Sequence, residues 1–330
     1  MPAKSGSRWR GAIGWLISAA CIGFILWKVD IRAAFAALRT FEWSYLAVGL
    51  LSLAVGYTIR IARWAILLRA ASPEVKVGSC AAPFLGSIAL NNVLPFRAGD
   101  IVRITVFPAA IGVTRSSAFG SVVIERLVDV LTLAAGFAVG SFALTAMDAP
   151  AWLKNGAILA FALGAVALFL VIVGSAPLAR AIAHVSARMH HPAVVRLCQL
   201  LIQLLISFQQ MSGVRVLAAF FMLTLLVWAG EAGFFWALIT GFGFHITAQM
   251  ALFAMSVITL STLVPSSPGY VGPFHLAAIS VLVLLGANEE VATSFAVLAH
   301  LMLWAPTTLA GGIAMLLKPG IFLGAATRSA

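Results

Sequence analysis

Residues 91–103 carry more chemistry than any comparable stretch of this chain. Asn91 and Asn92 supply amides, Pro95 and Gly99 interrupt the backbone, and Asp100 lies between the guanidiniums of Arg97 and Arg103. Glu125, Arg126 and Asp129 follow shortly afterwards, and Arg60 and Arg63 precede the stretch, three residues apart and so on one helix face. These residue types support two compatible readings. In one, they form an ion-pair network that ties a broken segment to a neighbouring helix. In the other, Arg60, Arg63, Arg97, Arg103 and Arg126 line a pocket for a phosphate, because the arginine fork donates two parallel hydrogen bonds to such a group. Asp100, Glu125 and Asp129 would then orient the guanidiniums or meet a cationic headgroup. A half-helix beginning near Gly99 would add free N–H groups and the positive end of its dipole. Asn91 and Asn92 read as caps on the interrupted backbone.

The surroundings make these charges costly. The chain has 330 residues, 62% hydrophobic and 9% charged, with a mean hydropathy of +1.06. A soluble domain carries about 25% charged residues, so the solvent for most of this surface is lipid. A charge at the centre of a lipid-facing helix costs roughly 2.5–3.5 kcal/mol on insertion scales, which drives such groups to pair inside a bundle or cavity. The net charge of +11 does not point to nucleic acid, because the basic residues are scattered at the ends of apolar segments. The basic N-terminus resembles a signal peptide but lacks a clean cleavage site, and is read as a retained first span. Cys21, Cys80 and Cys198 lack motif spacing and read as small packing residues. Glu231 sits mid-span and reads first as a neutral, hydrogen-bonded acid, with proton coupling as the sharper role. His275 and His300 read as hydrogen-bonding residues of a core or pocket. His190-His191 lacks metal-site spacing. No Ser-His-Asp order, phosphate-binding glycine loop or H-E-x-x-H motif is present, so neither an enzyme nor a bound cofactor is expected.

The elements that must hold this chemistry follow from apolar runs long enough to cross a bilayer core of roughly 30 Å. Full spans are expected at about 11–28, 44–68, 118–146, 152–173, 214–240 and 291–317. Two segments break repeatedly. Residues 79–111 contain Pro83, Gly86, Pro95, Gly99 and Pro108, and residues 249–285 contain Pro265, Pro268, Gly269, Gly272 and Pro273. Their apolar pieces are too short to span, which fits re-entrant hairpins. Between them, 177–212 repeats Arg180, His184 and Arg188, then Arg196, Gln199 and Gln203, at helical spacing, and reads as a pair of amphipathic helices lying on the membrane. The expectation is one all-α polytopic bundle of six full spans and two hairpins. With the N-terminus inside, every basic residue except Lys28, Arg32, Arg39 and Lys154 falls on the cytoplasmic side, which places both termini there. The hairpins then enter from opposite faces. Leu94-Pro95-x-x-x-Gly99 and Val264-Pro265-x-x-x-Gly269 match, so the two halves are expected to form an inverted repeat, an arrangement that puts transport sites near the midplane.

The stretches Arg60-x-x-Arg63-Trp64, Leu94-Pro95-x-Arg97-x-Gly99-Asp100-x-x-Arg103, Glu125-Arg126-x-x-Asp129 and Pro265-x-x-Pro268-Gly269-x-x-Gly272-x-Phe274 resemble the transmembrane domain of lysylphosphatidylglycerol synthases. Stand-alone flippase-like proteins share that domain, and the resemblance runs from about 11 to 317. It implies a bacterial or archaeal inner-membrane protein that moves a lipid between leaflets. It adds Pro268, Gly269 and His275 of the second hairpin to the site. Two positions depart from the family pattern: Asp100 stands where glutamate is usual, and His275 where glutamate is frequent. The second change removes an acid from the outer hairpin and shifts the expected cargo from a cationic aminoacylated lipid towards a neutral or anionic one. The soluble acyltransferase-type domain of the two-domain synthases has no counterpart here, so synthesis is not carried over. The expected partner is a membrane lipid with an anionic headgroup. The alternative is a non-transporting subunit that docks a lipid- or glycan-modifying enzyme through 177–212.

Overall fold

The computed structural model describes residues 36–143, 151–189, 191–264 and 266–323, with a few isolated positions before 36. The first expected span (11–28), the start of the charged loop that follows it, His190 and Pro265 therefore lie outside the described segments. The described residues are helical, with no strand among them. In chain order the helices are α1 (Ser44–Ala71), α2 (Val77–Val93), α3 (Ala98–Thr105), α4 (Pro108–Ile111), α5 (Arg115–Ala143), α6 (Ala151–Ser186), α7 (Pro192–Met211), α8 (Val214–Gly241), α9 (Ala248–Ser261), α10 (Pro273–Leu284), α11 (Glu289–Leu317) and α12 (Pro319–Leu323). Short 3₁₀ turns, Pro95–Arg97 and Pro268–Tyr270, lie between α2 and α3 and between α9 and α10.

Proline and glycine set the breaks where the sequence predicts them. Pro95 opens the turn after α2, and Gly269 and Gly272 take positive φ of 75° and 103° ahead of α10. Both hairpins form. Each carries one non-glycine residue in the left-handed region, Arg97 (φ 52°) and Tyr270 (φ 61°), and no other such residue occurs in the described chain. That conformation costs an L-residue roughly 1–2 kcal/mol. It persists because the two tips press against one another, with the Arg97 guanidinium 5.7 Å from the centre of the Tyr270 ring.

Packing between the halves is reciprocal. The first helix of hairpin one, α2, packs on α11, the long helix that follows hairpin two; α9, the first helix of hairpin two, packs on α5, the long helix that follows hairpin one. Helices α1 and α8 are both 28 residues long, begin 170 positions apart and pack along one another. Small residues let their backbones approach. A Cβ built on Gly230 would stand 3.0 Å from the Ser52 carbonyl oxygen and 3.2 Å from the Gly56 Cα, and the Ser52 hydroxyl donates to the Gly230 carbonyl at 2.7 Å.

Two expectations change. Helix α6 runs unbroken through Pro177, which therefore does not end the span and begin a surface helix. Helix α7 is long and apolar enough to cross a membrane, as are α1, the 161–186 part of α6, α8 and α11. The polar residues of 177–212 decorate one side of helices that are otherwise rich in exposed leucine and valine, such as Leu178, Val185, Leu197 and Leu200. The surface is greasy and the centre is charged: Ile158, Leu163, Phe169 and Leu170 of α6 face outwards, whereas Arg63, Arg103, Glu125 and Asp129 are buried. Lipid as solvent accounts for that inversion.

Candidate functional site

The charged residues from the first half of the chain converge where the hairpin tips meet α1, α5 and α8. Arg103, on α3, grips Glu125, on α5, through both guanidinium nitrogens at 3.1 and 2.6 Å. Its guanidinium also lies 4.2 Å from the centre of the Trp64 ring and 4.8 Å from that of Phe84. Arg63, one turn beyond Arg60 on α1, holds Asp129 at 2.6 and 3.2 Å, reaches Thr224 at 3.1 Å and lies 3.8 Å from Glu125. Both arginine side chains are 0% exposed. Carboxylates at the edges and aromatic rings at the faces compensate the desolvation of these buried cations.

Arg126 is placed differently. Its side chain is 30% exposed and is shared among Asp100 (3.4 Å), Glu125 (3.4 Å) and Asp129 (3.8 Å). Asp100 is itself steadied by Asn91, which donates its amide to the Asp100 carboxylate and accepts the Asp100 backbone N–H, both at 3.1 Å. Asn91 thus caps the broken backbone, as the sequence suggests, and uses the N–H that an anion at the start of α3 would have taken. Asn92 fixes the tip to α11, donating to Thr307 and Thr308 at 3.0 and 2.9 Å, while Trp304 donates its indole N–H to the Asn92 carbonyl at 3.2 Å.

Arg60 pairs with Glu231 of α8 and lies between the rings of Tyr57 and Trp228. Glu231 also accepts from Thr259 on hairpin two at 3.3 Å. The lone acid of the fifth expected span therefore has a guanidinium partner 171 residues away in sequence, which replaces the reading of an isolated neutral acid. Glu231→Gln is expected to lower unfolding stability by about 1.5–3 kcal/mol, the usual contribution of a charge-assisted hydrogen bond, measured as thermal unfolding in detergent.

A cavity of about 160 Å³ opens between the tips. Of the predicted site residues, Arg60, Arg97, Glu125, Arg126, Asp129 and Gly269 contribute to its wall. Arg63, Gly99, Asp100, Arg103, Pro268 and His275 do not: the two arginines are sealed in ion pairs, and the others hold the walls from behind. Gly99 lies so close to α2 that a Cβ there would stand 1.9 Å from the Ser87 carbonyl oxygen. Pro268 opens the 3₁₀ turn of hairpin two. His275 takes the Gly272 N–H on Nδ1 at 3.5 Å and meets the edge of His300 with ring centres 4.7 Å apart. His300 reaches the wall and binds the Gly269 carbonyl at 2.7 Å. Sequence reasoning missed Tyr57, Trp228, Thr259, Tyr270, Trp304 and Thr307, all on the wall. Their only local signal is a hydroxyl or an aromatic ring inside an apolar helix or, for Tyr270, beside a proline-glycine turn, which is also what an ordinary bundle core looks like.

Five guanidiniums (Arg60, Arg63, Arg97, Arg103, Arg126) meet four carboxylates (Asp100, Glu125, Asp129, Glu231). Every one of them takes part in an ion pair except Arg97, which pairs with no acid among the described residues. The Nε atoms of Arg97 and Arg126 are buried and have no hydrogen-bond partner among those residues. The cluster as a whole thus carries one cation beyond neutrality, and the cavity wall carries two buried donors.

The family model described as the lysylphosphatidylglycerol synthase TM region matches residues 11–311. The chain is also similar to the glycosyltransferase AglD of Haloferax volcanii, with 26% identity over 345 aligned positions that cover 94% of this chain and 54% of that protein. The chain therefore spans about half the length of this relative. No solved structure matches it. Helices of this length and apolarity, together with the family match, identify a multi-pass membrane protein. Because the match runs through both hairpins and every helix that carries the charged cluster, the chain belongs to the lysylphosphatidylglycerol synthase TM region family.

Proposed function

We propose that this protein is a lipid transporter that carries an anionic headgroup between leaflets through the cavity at the hairpin tips. Both termini would lie on the cytoplasmic side of the inner membrane. The observation that carries this reading is Arg97, a cation at the meeting point of the two tips, on the cavity wall and without a carboxylate partner among the described residues. A purely structural network gains little from an unmatched charge, because an unpaired cation in a low-dielectric site costs several kcal/mol. An entering phosphate would supply the missing anion, with Arg126 sharing it. Arg63 and Arg103 act as scaffold in this scheme, since their terminal nitrogens are committed to Asp129 and Glu125 and neither lines the cavity. A cavity of this size is below the roughly 300–1,000 Å³ of a drug-sized pocket, so the headgroup enters while the acyl chains stay in the bilayer.

The test is movement of fluorescent phospholipid across reconstituted vesicles, read as loss of protection from a membrane-impermeant quencher. Arg97→Ala is expected to slow movement about ten-fold or more, the scale of a lost charge-assisted hydrogen bond. Arg97→Lys should retain part of the rate, and neither variant should unfold below the parent, because no ion pair is lost. An unchanged rate in Arg97→Ala sinks the reading. A second reading, a membrane subunit working beside a lipid- or glycan-modifying enzyme, is favoured by one observation: the glycosyltransferase-named relative is about twice as long as the matched region.

A further inference from the structure

Resting on that transport reading, we infer that the headgroup accepted by this cavity is a single sugar joined to its lipid by a phosphodiester. Charge is the first argument. The cluster exceeds neutrality by one cation, Arg97, and a phosphodiester brings one negative charge. A terminal phosphate brings about 1.5–2 at neutral pH and would leave charge unmatched in a buried site. An aminoacylated headgroup would bring its own cation to a cluster that already has one to spare, and the second hairpin offers it no acid, because His275 and His300 are the ionisable side chains between Tyr270 and the end of α10 and at the wall of α11.

The second argument is the lining. Around the charges the wall is built of flat rings and short hydrogen-bonding groups. Trp304 and Tyr270 line it with aromatic surface, and the side-chain oxygens of Thr259, Thr262 and Asn92 remain as acceptors, their hydrogens being donated to Glu231, the Thr259 carbonyl and the Thr307 and Thr308 hydroxyls. A pyranose has the same duality: its C–H faces pack on aromatic rings, and its equatorial hydroxyls need donors and acceptors at the rim. A plain glycerol headgroup has hydroxyls but no ring face, and would leave the Trp304 ring without a partner. The cavity of about 160 Å³ suits one ring and not an oligosaccharide. The sugar would sit between hairpin two and α11, where Thr259, Thr262, Tyr270 and Trp304 lie, and the phosphodiester against Arg97 and Arg126.

The experiment uses the full chain in nanodiscs, with intrinsic tryptophan fluorescence as the readout, since Trp228 and Trp304 are both on the wall. Three ligands are titrated: a short-chain isoprenyl phosphodiester of glucose, phosphatidylglycerol and lysylphosphatidylglycerol. The glucose phosphodiester is expected to saturate the signal at about ten-fold lower concentration than either of the others. Thr262→Val and Trp304→Phe should weaken the glucose lipid several-fold and leave phosphatidylglycerol within about two-fold. Thr262 is partly exposed, so its variant tests the idea even if Trp304→Phe perturbs the tip. Equal affinity for phosphatidylglycerol overturns the sugar assignment while leaving anionic-lipid transport intact, and tighter binding of the lysyl lipid overturns both the sugar assignment and the anionic headgroup. If no anionic lipid binds and none moves in the vesicle assay, the transport reading fails as well.

Discussion

Arg103→Met is expected to destabilise the protein by about 3–5 kcal/mol, the usual result of removing one partner from a buried ion pair. Arg103 holds Glu125 with two hydrogen bonds, and both side chains are essentially inaccessible. Methionine keeps the apolar stem against Trp64 and Phe84 but leaves the carboxylate facing Arg63 at 3.8 Å and Arg126 at 3.4 Å without its best partner. Thermal unfolding in detergent gives the loss. The double variant Arg103→Met with Glu125→Gln should recover a good part of it, because a neutral amide is far cheaper to bury than an unpaired carboxylate. A single variant as stable as the parent would mean that Arg63 and Arg126 already satisfy Glu125, and that α3 is not anchored to α5 through this pair.

Gly99→Ala is the second large effect. The added Cβ would stand 1.9 Å from the Ser87 carbonyl oxygen and 2.8 Å from the Asn91 side-chain oxygen. Backbone cannot yield as a flexible side chain can, so α3 must lift away from α2. The expected cost is at the upper end of the roughly 1–3 kcal/mol typical of overpacking, or beyond it. Lifting α3 also breaks the reciprocal Asn91–Asp100 contact and loosens Asp100 from Arg126, so lipid movement should fall along with stability. Faster amide exchange across 94–105 would locate the damage. Gly78→Ala is the control: it lies in α2, a Cβ there meets nothing within 4 Å, and stability should hold or rise slightly with no faster exchange.

Much of this arrangement can be read in one dimension. Helix breaks at Pro95, Gly269 and Gly272 follow from what proline and glycine do to φ and to backbone hydrogen bonding, and so the two hairpins were legible. The 170-residue match around Pro95 and Pro265 is a matter of spacing, and it reappears in the equal lengths of α1 and α8. Pro177 misled for an equally local reason: proline usually ends a helix, yet α6 continues through it.

The pairing of charges was not legible. Arg60 meets Glu231 from 171 positions away, and Arg63 chooses Asp129 over Glu125 by about an ångström. Nothing local distinguishes Arg97 from Arg103, although one is left facing the cavity and the other is clamped between an acid and two aromatic rings. By itself the sequence determined that these charges are too costly for lipid and must converge inside a bundle, because residue type and hydropathy decide solvation. Only the tertiary structure decided which cation stays uncompensated, because ion pairing depends on ångström distances between helices remote in the chain. That distinction separates the scaffold arginines, Arg63 and Arg103, from Arg97.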